Sequence, residues 1–208
     1  LKSPLAAIRG AAEIIQEIPP PEVTRQFSAN ILQQNARMQR LIDNLLRQAR
    51  LENRPEIACQ RIDLLPLMNV LRDSRVVQSQ GKILHIDADS LDGMQVFADR
   101  LLLEQALANL LDNALDFTPP GGKIVLRAES HDGTVAIQII DSGTGIPAFA
   151  EPYIFDRFYS LPRSNGEKSS GLGLAFVREV ARLHQGSVTL LNLAEGGVCA
   201  SLVLKKQR

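Results

Sequence analysis

The chain has 208 residues, of which 45% are hydrophobic. This length suffices for a compact domain and a smaller element, and the apolar fraction is that of a globular protein with a buried core. The 23 basic and 23 acidic side chains cancel, so no excess of positive charge predicts direct binding to nucleic acid. No apolar run approaches the roughly 20 residues that a membrane-spanning helix needs.

Residues 1–53 predict a hairpin of two helices. Apolar residues recur at steps of three and four over residues 5–18, and three prolines at 19–21 then end the helix. A second helix is predicted over residues 22–51, where an apolar stripe runs close to heptad spacing. Pairing with a second copy into a four-helix bundle would bury this stripe, and packing against the rest of the same chain is the alternative.

The pattern changes at Asn53-Arg54-Pro55, where we place the boundary of a second domain, residues 54–208. Its short strands and helices predict an α/β sandwich with helices on one face of a mixed sheet. A long polar segment, residues 147–170, is typical of a disordered connection or a functional lid. Strands are predicted over 56–64, 82–87, 94–97, 123–128, 135–140, 187–193 and 198–204, and helices over 65–80, 99–117 and 172–184.

Two asparagines lie four residues apart on the predicted helix 99–117. Asn109 and Asn113 therefore leave the same face of that helix. A neutral amide oxygen can bind Mg²⁺ without repelling a triphosphate, and Asn113 suits that role. The alternative is a solvated polar face of the helix.

Two glycine turns follow the asparagines. Asp141 ends an apolar strand and enters the turn 142–146, where its carboxylate could accept the amino group of adenine. Gly171-Leu172-Gly173 precedes a helix whose N–H groups could face phosphate oxygens. A plain β-turn and a simple helix start are the alternatives. The order of the three stretches, however, predicts a nucleotide pocket.

Four motifs resemble the N, G1, F and G2 boxes of sensor histidine kinases. They are Asn109/Asn113, Asp141-Ser142-Gly143-Thr144-Gly145, Phe155-Asp156-Arg157-Phe158 and Gly171-Leu172-Gly173. Residues 1–5, Leu-Lys-Ser-Pro-Leu, resemble the end of the phosphoacceptor motif of that family, so the resemblance covers nearly the whole chain. It implies an α+β protein, in which a dimerisation and phosphotransfer hairpin precedes a Bergerat-type ATP-binding domain whose ATP lid is 147–170.

The resemblance also implies an activity. A sensor histidine kinase binds Mg²⁺-ATP, transfers the γ-phosphoryl group to a histidine of the hairpin and passes it to an aspartate of a response regulator. Asn113 would hold Mg²⁺ and Asp141 would contact adenine. The expected partners are the response regulator and a second copy, and the expected place is the cytoplasmic portion of an inner-membrane sensor. The nucleotide-binding residues implied are Asn109, Asn113, Asp141, Gly143, Gly145, Ile146, Arg157, Lys168, Gly171, Leu172 and Gly173.

The chain departs from the family pattern at the acceptor histidine, which the motif places two residues before Leu1. We therefore expect that this chain does not phosphorylate itself and that His85, His131 and His184 are structural. Ser3 stands four places after the acceptor, where relatives can orient water to dephosphorylate the regulator, although serine is also ordinary helix surface.

Two further departures concern the phosphate end of the pocket. Ser160 stands where relatives often carry an arginine, which leaves Arg157, Arg163 and Lys168 as candidates for the charge that faces the phosphates. Asp116 stands where many relatives carry a basic residue, and an acid beside a triphosphate would be repelled unless it is paired or turned away.

Two alternative functions remain from the sequence. ATPases of the gyrase and Hsp90 kind have a general-base glutamate at the place matching Asn109, and an amide cannot take that proton. The sequence thus favours phosphoryl transfer over hydrolysis. The other alternative is a dimeric scaffold that binds nucleotide without chemistry.

Overall fold

The computed structural model describes residues 2–52, 57–79, 81–162 and 169–206. The chain divides into two compact units, residues 1–54 and residues 55–208. The first unit is a helical hairpin and the second is an α/β sandwich. The predicted α+β class is therefore confirmed. Among the described residues, no helix is both long enough and apolar enough to cross a membrane.

The hairpin of the first unit consists of α1, Lys2–Gln16, and α2, Pro21–Glu52. Proline is well suited to the first position of α2, because its missing N–H would have no partner inside the helix. The Thr24 hydroxyl donates to the carbonyl oxygen of Pro19 at 3.3 Å and so ties the turn to the first turn of α2. Leu5 and Leu32 remain 51% and 69% exposed within the chain, so the hairpin keeps apolar surface available for another molecule.

The second unit contains two sheets. A five-stranded sheet has the order β2-β4-β5-β7-β6, with β2 and β4 parallel and all other neighbours antiparallel. The strands β1 and β3 form a separate antiparallel pair. The strands are β1 Cys59–Asp63, β2 Ile83–Ile86, β3 Gln95–Asp99, β4 Lys123–His131, β5 Thr134–Asp141, β6 Ser187–Asn192 and β7 Val198–Lys205. The helices are α3 Leu64–Asp73, α4 Ala88–Leu91, α5 Arg100–Phe117 and α6 Gly173–Leu183, with short 3-10 turns at Val77–Ser79 and Glu151–Tyr153.

The core lies between the helices and one face of the five-stranded sheet. Every second residue of β5 is buried, as expected for a strand with one covered face. Along α5, Leu103, Leu107 and Leu111 are fully buried. These side chains recur every four residues and form the stripe that packs on the sheet. The same packing turns the asparagine-bearing part of α5 toward the pocket described below.

Two helices differ from the prediction. The helix predicted over residues 65–80 ends at Asp73, because Val76 and Val77, 57% and 91% exposed, would gain no burial from a longer helix. The short helix α4 was not predicted. Its four residues are too few for a periodic pattern, and the Asp87 carboxylate stabilises its start by accepting the N–H of Ser90 at 3.3 Å.

The buried His184 joins the end of α6 to the end of β3. Its Nε2 accepts the backbone N–H of Asp99 at 2.9 Å, and its Nδ1 lies 2.7 Å from the carbonyl oxygen of Val180. Because Nε2 accepts the Asp99 N–H, it carries no hydrogen of its own. The ring hydrogen is therefore assigned to Nδ1, which donates to the carbonyl oxygen of Val180. Both ring nitrogens are thus used inside the core. This agrees with the structural role expected for His184.

Replacement of His184 by alanine should destabilise the second unit. His184→Ala leaves a buried N–H without its acceptor and opens a cavity, which together should cost about 2 to 4 kcal/mol. Urea unfolding measures the free energy. The control is His131→Ala, because the His131 side chain is 88% exposed. Equal stabilities of the two variants would contradict the role assigned to His184.

Candidate nucleotide-binding site

An open pocket of the second unit lies between α5 and the covered face of the five-stranded sheet. It offers about 880 Å³ of space, part of which is continuous with solvent. Its walls are mainly apolar with a few polar groups, which is typical of a small-molecule site. Its lining comprises Leu110, Asn113, Ala114 and Phe117 of α5, Ile139 and Asp141 of β5, Gly145 and Ile146, Ile154, Tyr159, Ser160, Leu161 and Ser169, Gly171, Gly173 and Leu174, and Leu190, Val198 and Ala200 of β6 and β7.

Asp141 places a carboxylate in this apolar surrounding. The residue is 8% exposed, and the N–H of Gly143 donates to its Oδ1 at 2.8 Å. Burial raises the pKa of the Asp141 carboxyl above its usual value, while hydrogen bonds from the backbone of Gly143 and Val198 oppose that rise. The carboxylate is therefore incompletely compensated. A ligand that brings a hydrogen-bond donor into the pocket would stabilise it.

The turn after Asp141 needs glycine at two positions. A Cβ on Gly143 would lie 2.6 Å from the carbonyl oxygen of Phe117, so only glycine lets the turn touch the end of α5. Gly145 has φ +78°, in the left-handed region. The turn brings Ile146 onto the pocket wall. Gly143 shapes the turn but is not itself part of the lining.

In the second glycine stretch, close packing against the main chain also requires glycine. Gly171 has φ +66°, and a Cβ on it would lie 2.4 Å from the carbonyl carbon of Phe158. Its carbonyl oxygen accepts the N–H of Phe158 at 2.9 Å. Leu172 is 2% exposed and packs in the core. Among the described residues, no capping side chain accepts a hydrogen bond at the start of helix α6, Gly173, so the first N–H groups of this helix are placed to face a bound anion.

The two asparagines of α5 have different positions. Asn113 lines the pocket. Asn109, one turn earlier, donates from Nδ2 to the carbonyl oxygen of Gly173 at 3.4 Å and accepts from Gln105 at 3.4 Å. Asn109 therefore connects α5 to the start of α6 at the edge of the pocket and is not part of its lining.

Other residues implied by the sequence lie elsewhere. Arg157 is exposed and does not line the pocket. Lys168 and Arg163 lie outside the described residues, and so does the side chain of Ser3. Ser160 lines the pocket, and its hydroxyl donates to the carbonyl oxygen of Ser169 at 3.3 Å.

Sequence reasoning missed the wall that β6 and β7 contribute. Leu190, Val198 and Ala200 belong to the alternating pattern of ordinary core strands. No local signal distinguishes these residues from others that face the core, because only the closure of the sheet under α5 brings them to the pocket. Their apolar character, however, suits contact with the flat face of a base.

The pocket fits a magnesium ion held mainly by a bound ligand. Among the described residues, no group of three His, Cys, Asp or Glu side chains could hold a metal ion. The Asn113 amide offers one hard oxygen on the lining. Mg²⁺ usually takes one or two protein ligands and completes its shell with phosphates and water. The residues present therefore fit Mg²⁺ bound together with a nucleotide phosphate.

Comparison with known proteins identifies the class to which the fold and the pocket belong. Residues 98–208 match the family described as histidine kinase-, DNA gyrase B-, and HSP90-like ATPase, and the chain is a member of that family. Residues 1–54 match the His Kinase A (phospho-acceptor) domain. The two matches confirm the resemblance to sensor histidine kinases.

Among individual relatives, the chain is 58% identical to Sensor protein CreC of Escherichia coli (strain K12), over 99% of this chain and 43% of CreC. The mycobacterial sensor histidine kinase MprB is 29% identical, with a TM-score of 0.60 over 72% of this chain and 99% of that structure. Histidine kinase ThkA, solved in complex with response regulator protein TrrA, is 20% identical, with a TM-score of 0.77 over 99% of this chain and 58% of that one. The chain spans less than half the length of CreC.

Replacement of Gly171 by alanine should disturb the pocket beyond the cost of its φ angle. Gly93 offers a matched control, since it has the same φ of +66° and nothing within 4 Å of an added Cβ. We expect Gly93→Ala to cost about 1 kcal/mol of unfolding free energy. Gly171→Ala should cost at least about twice as much, because its Cβ meets main chain. Chemical denaturation of both variants measures the difference, and equal losses would refute the steric argument.

Proposed function

We propose that this chain supplies the catalytic part of a sensor histidine kinase, which binds Mg²⁺-ATP and transfers its γ-phosphoryl group to a histidine of the hairpin. One observation carries the proposal. The Asp141 carboxylate and the Asn113 amide line the same apolar pocket, which two glycine stretches border. A purine triphosphate could donate a hydrogen bond from its base to the Asp141 carboxylate and place its phosphates near the Asn113 amide. The flat face of its base would contact the apolar walls between them.

In this proposal the base lies at the Asp141 end of the pocket. The adenine amino group donates to the Asp141 carboxylate, which is buried and keeps capacity to accept. Ile146 and Leu190 supply apolar surface to the pocket lining. Release of ordered water from this surface contributes to binding.

The phosphates lie toward Asn113 and the start of α6. Asn113 holds Mg²⁺, which neutralises charge on the phosphate oxygens when it is bound. The first N–H groups of α6 donate to the same oxygens. Gly143 and Gly145 position the first turn, and Gly171 and Gly173 position the second. Arg157 and Lys168 are proposed to add positive charge from the lid, residues 147–170.

Asn109 decides between transfer and hydrolysis. Its amide cannot remove a proton from water, and it already bonds to Gly173 and Gln105. We therefore propose that Asn109 orders the helix junction around the phosphates, while a histidine supplies the nucleophile. Catalysis then rests on positioning and charge neutralisation, as in other phosphoryl transfers.

The proposed partners follow from the hairpin and from the family. A second copy would cover the apolar surface left exposed at Leu5 and Leu32. A response regulator would receive the phosphoryl group, and the ThkA structure contains such a partner. Ser3 is proposed to assist dephosphorylation of the regulator. The proposed location is the cytoplasmic portion of an inner-membrane sensor, linked to the membrane by segments upstream.

Asp141→Asn should change the affinity for nucleotide and the free energy of unfolding in opposite directions. The variant keeps an oxygen for the Gly143 N–H but removes the charge. Because burial raises the pKa of Asp141, ionisation costs the native chain stability as pH rises from the unfolded value of about 4 through the folded pKa. We expect Asp141→Asn to gain stability relative to the native chain over that pH range and to bind Mg²⁺-ATP about tenfold more weakly.

Urea unfolding at several pH values and titration calorimetry measure the two effects. Asp132→Asn is the matched control, since the Asp132 side chain is 87% exposed, and it should alter neither quantity. A stability difference that does not vary with pH, or an unchanged affinity for ATP, would contradict the assignment of Asp141.

Phosphoryl transfer is tested on a chain extended upstream to include a histidine two places before Leu1. Incubation with γ-labelled ATP should give acid-labile, base-stable label on the protein and negligible free phosphate. The same chain with glutamine at the acceptor position is the control and should remain unlabelled. Binding of ATP without label would support the scaffold, and rapid release of phosphate would support an ATPase.

A further inference from the structure

The side chain of Asn192, the last residue of β6, makes three hydrogen bonds, two to Ile146 at the end of the first glycine turn and one to Glu151 beyond it. Its Oδ1 accepts the N–H of Ile146 at 2.7 Å. Its Nδ2 donates to the carbonyl oxygen of Ile146 at 2.8 Å and to Oε1 of Glu151 at 3.0 Å. A single side chain thus joins a strand end, the pocket wall and the segment 147–170.

The chemistry of these bonds requires an amide. Asn192 meets both main-chain groups of Ile146 at once, as a neighbouring strand residue would. Only one orientation of the amide presents oxygen to the N–H and nitrogen to both acceptors. A carboxylate at position 192 would lose both donated bonds and would face the like charge of Glu151.

The position of these bonds links them to the pocket. Ile146 lines the pocket, and so does Leu190, two residues before Asn192 on β6. A Cβ on Gly145 would lie 3.0 Å from Oδ1 of Asn192, so the turn and the amide are closely packed. The amide thus joins the turn to β6 at Ile146, a residue of the pocket lining.

The third bond reaches the start of the proposed lid. Glu151 is the first residue of the 3-10 turn Glu151–Tyr153, and the preceding Ala150 is fully buried. The beginning of the segment 147–170 is therefore anchored to the body of the second unit.

We propose that Asn192 is a positioning residue for the nucleotide, which holds Ile146 against the base and thereby increases the preference for adenine over guanine that the Asp141 carboxylate provides. The inference rests on the proposed function of the pocket. Asn192 acts through Ile146 and does not itself line the pocket. When the amide is removed, the slot between Asp141 and Ile146 widens, and a base of different hydrogen-bonding pattern is rejected less strongly.

The test compares Asn192→Ala with Asn69→Ala. The Asn69 amide donates one bond to the carbonyl oxygen of Leu65 at 3.1 Å within α3, which does not line the pocket. Calorimetry measures the affinity of each chain for Mg²⁺-ATP and Mg²⁺-GTP, and hydrogen exchange without nucleotide reports the Ile146 amide. For Asn192→Ala we expect about tenfold weaker binding of ATP, a lower ATP-to-GTP affinity ratio and faster exchange at Ile146. Asn69→Ala should match the native chain in all three.

A double variant that exchanges the amide and the carboxylate of Asn192 and Glu151 provides a second test. Asn192→Asp should weaken binding as Asn192→Ala does. Adding Glu151→Gln restores a hydrogen bond between positions 151 and 192, because the glutamine amide can donate to the new carboxylate, and it should recover part of the affinity for ATP. The ATP-to-GTP affinity ratio should stay low, because the bond to the Ile146 carbonyl oxygen is still missing. If Asn192→Ala does not fold, Asn192→Asp is judged by the same criteria.

The outcomes separate the inference from the function on which it rests. A native chain that binds no Mg²⁺-ATP would remove the proposed function and the inference with it. A native chain that binds ATP, with Asn192→Ala equal to Asn69→Ala, would overturn the inference alone. Weaker binding with an unchanged ATP-to-GTP ratio would also overturn it, since that result reports general loosening of the pocket.

Discussion

The arrangement of the second unit depends on the burial of a carboxylate, that of Asp141, at the end of β5. Such a group is unfavourable in an apolar wall unless neighbouring N–H groups compensate it. The chain folds back so closely to provide the Gly143 N–H that a Cβ on Gly143 would meet both Phe117 and the carboxylate. Just before β7, a Cβ on Gly197 would overlap the Asp141 carbonyl oxygen. Glycine is therefore required both in the turn after β5 and just before β7, where the chain passes close to Asp141.

Helix α5 connects this carboxylate to the rest of the site. Its leucine stripe is buried on the sheet, so the face that carries Asn113 is directed to the pocket. Two longer-range contacts hold α6 beside it. Asn109 bonds to Gly173 at the start of α6, and His184 at the end of that helix bonds to Asp99, which precedes α5. The pocket is therefore bordered by elements that the packed core orients, which favours a preformed site over one assembled by the ligand.

Elements of this chain that depend on local interactions follow from its sequence, whereas those that depend on long-range contacts do not. Helix α5 and the strands of the large sheet lie where periodicity placed them, because burial of one face repeats along each element. Helix α3 was predicted too long, since a pattern cannot show that Val76 and Val77 stay exposed. The sequence does not predict the role of Asn192, because its hydrogen-bond partner Ile146 lies 46 residues away in the chain. No local sequence pattern around an asparagine at a strand end indicates that its side chain bonds to a distant part of the main chain.

The sequence by itself determined the two-unit α+β organisation and the class of site, because apolar periodicity and glycine spacing are local properties of the chain. It also singled out Asn113 and Asp141 before any contact was known. Only the tertiary structure decided which residues share the pocket: it placed Ser160 and Leu190 on the wall and left Arg157 and Leu172 off it. The physical reason is that a pocket is a relation between distant elements, set by how α5 packs on the sheet and by where the backbone can approach closely enough to close a turn.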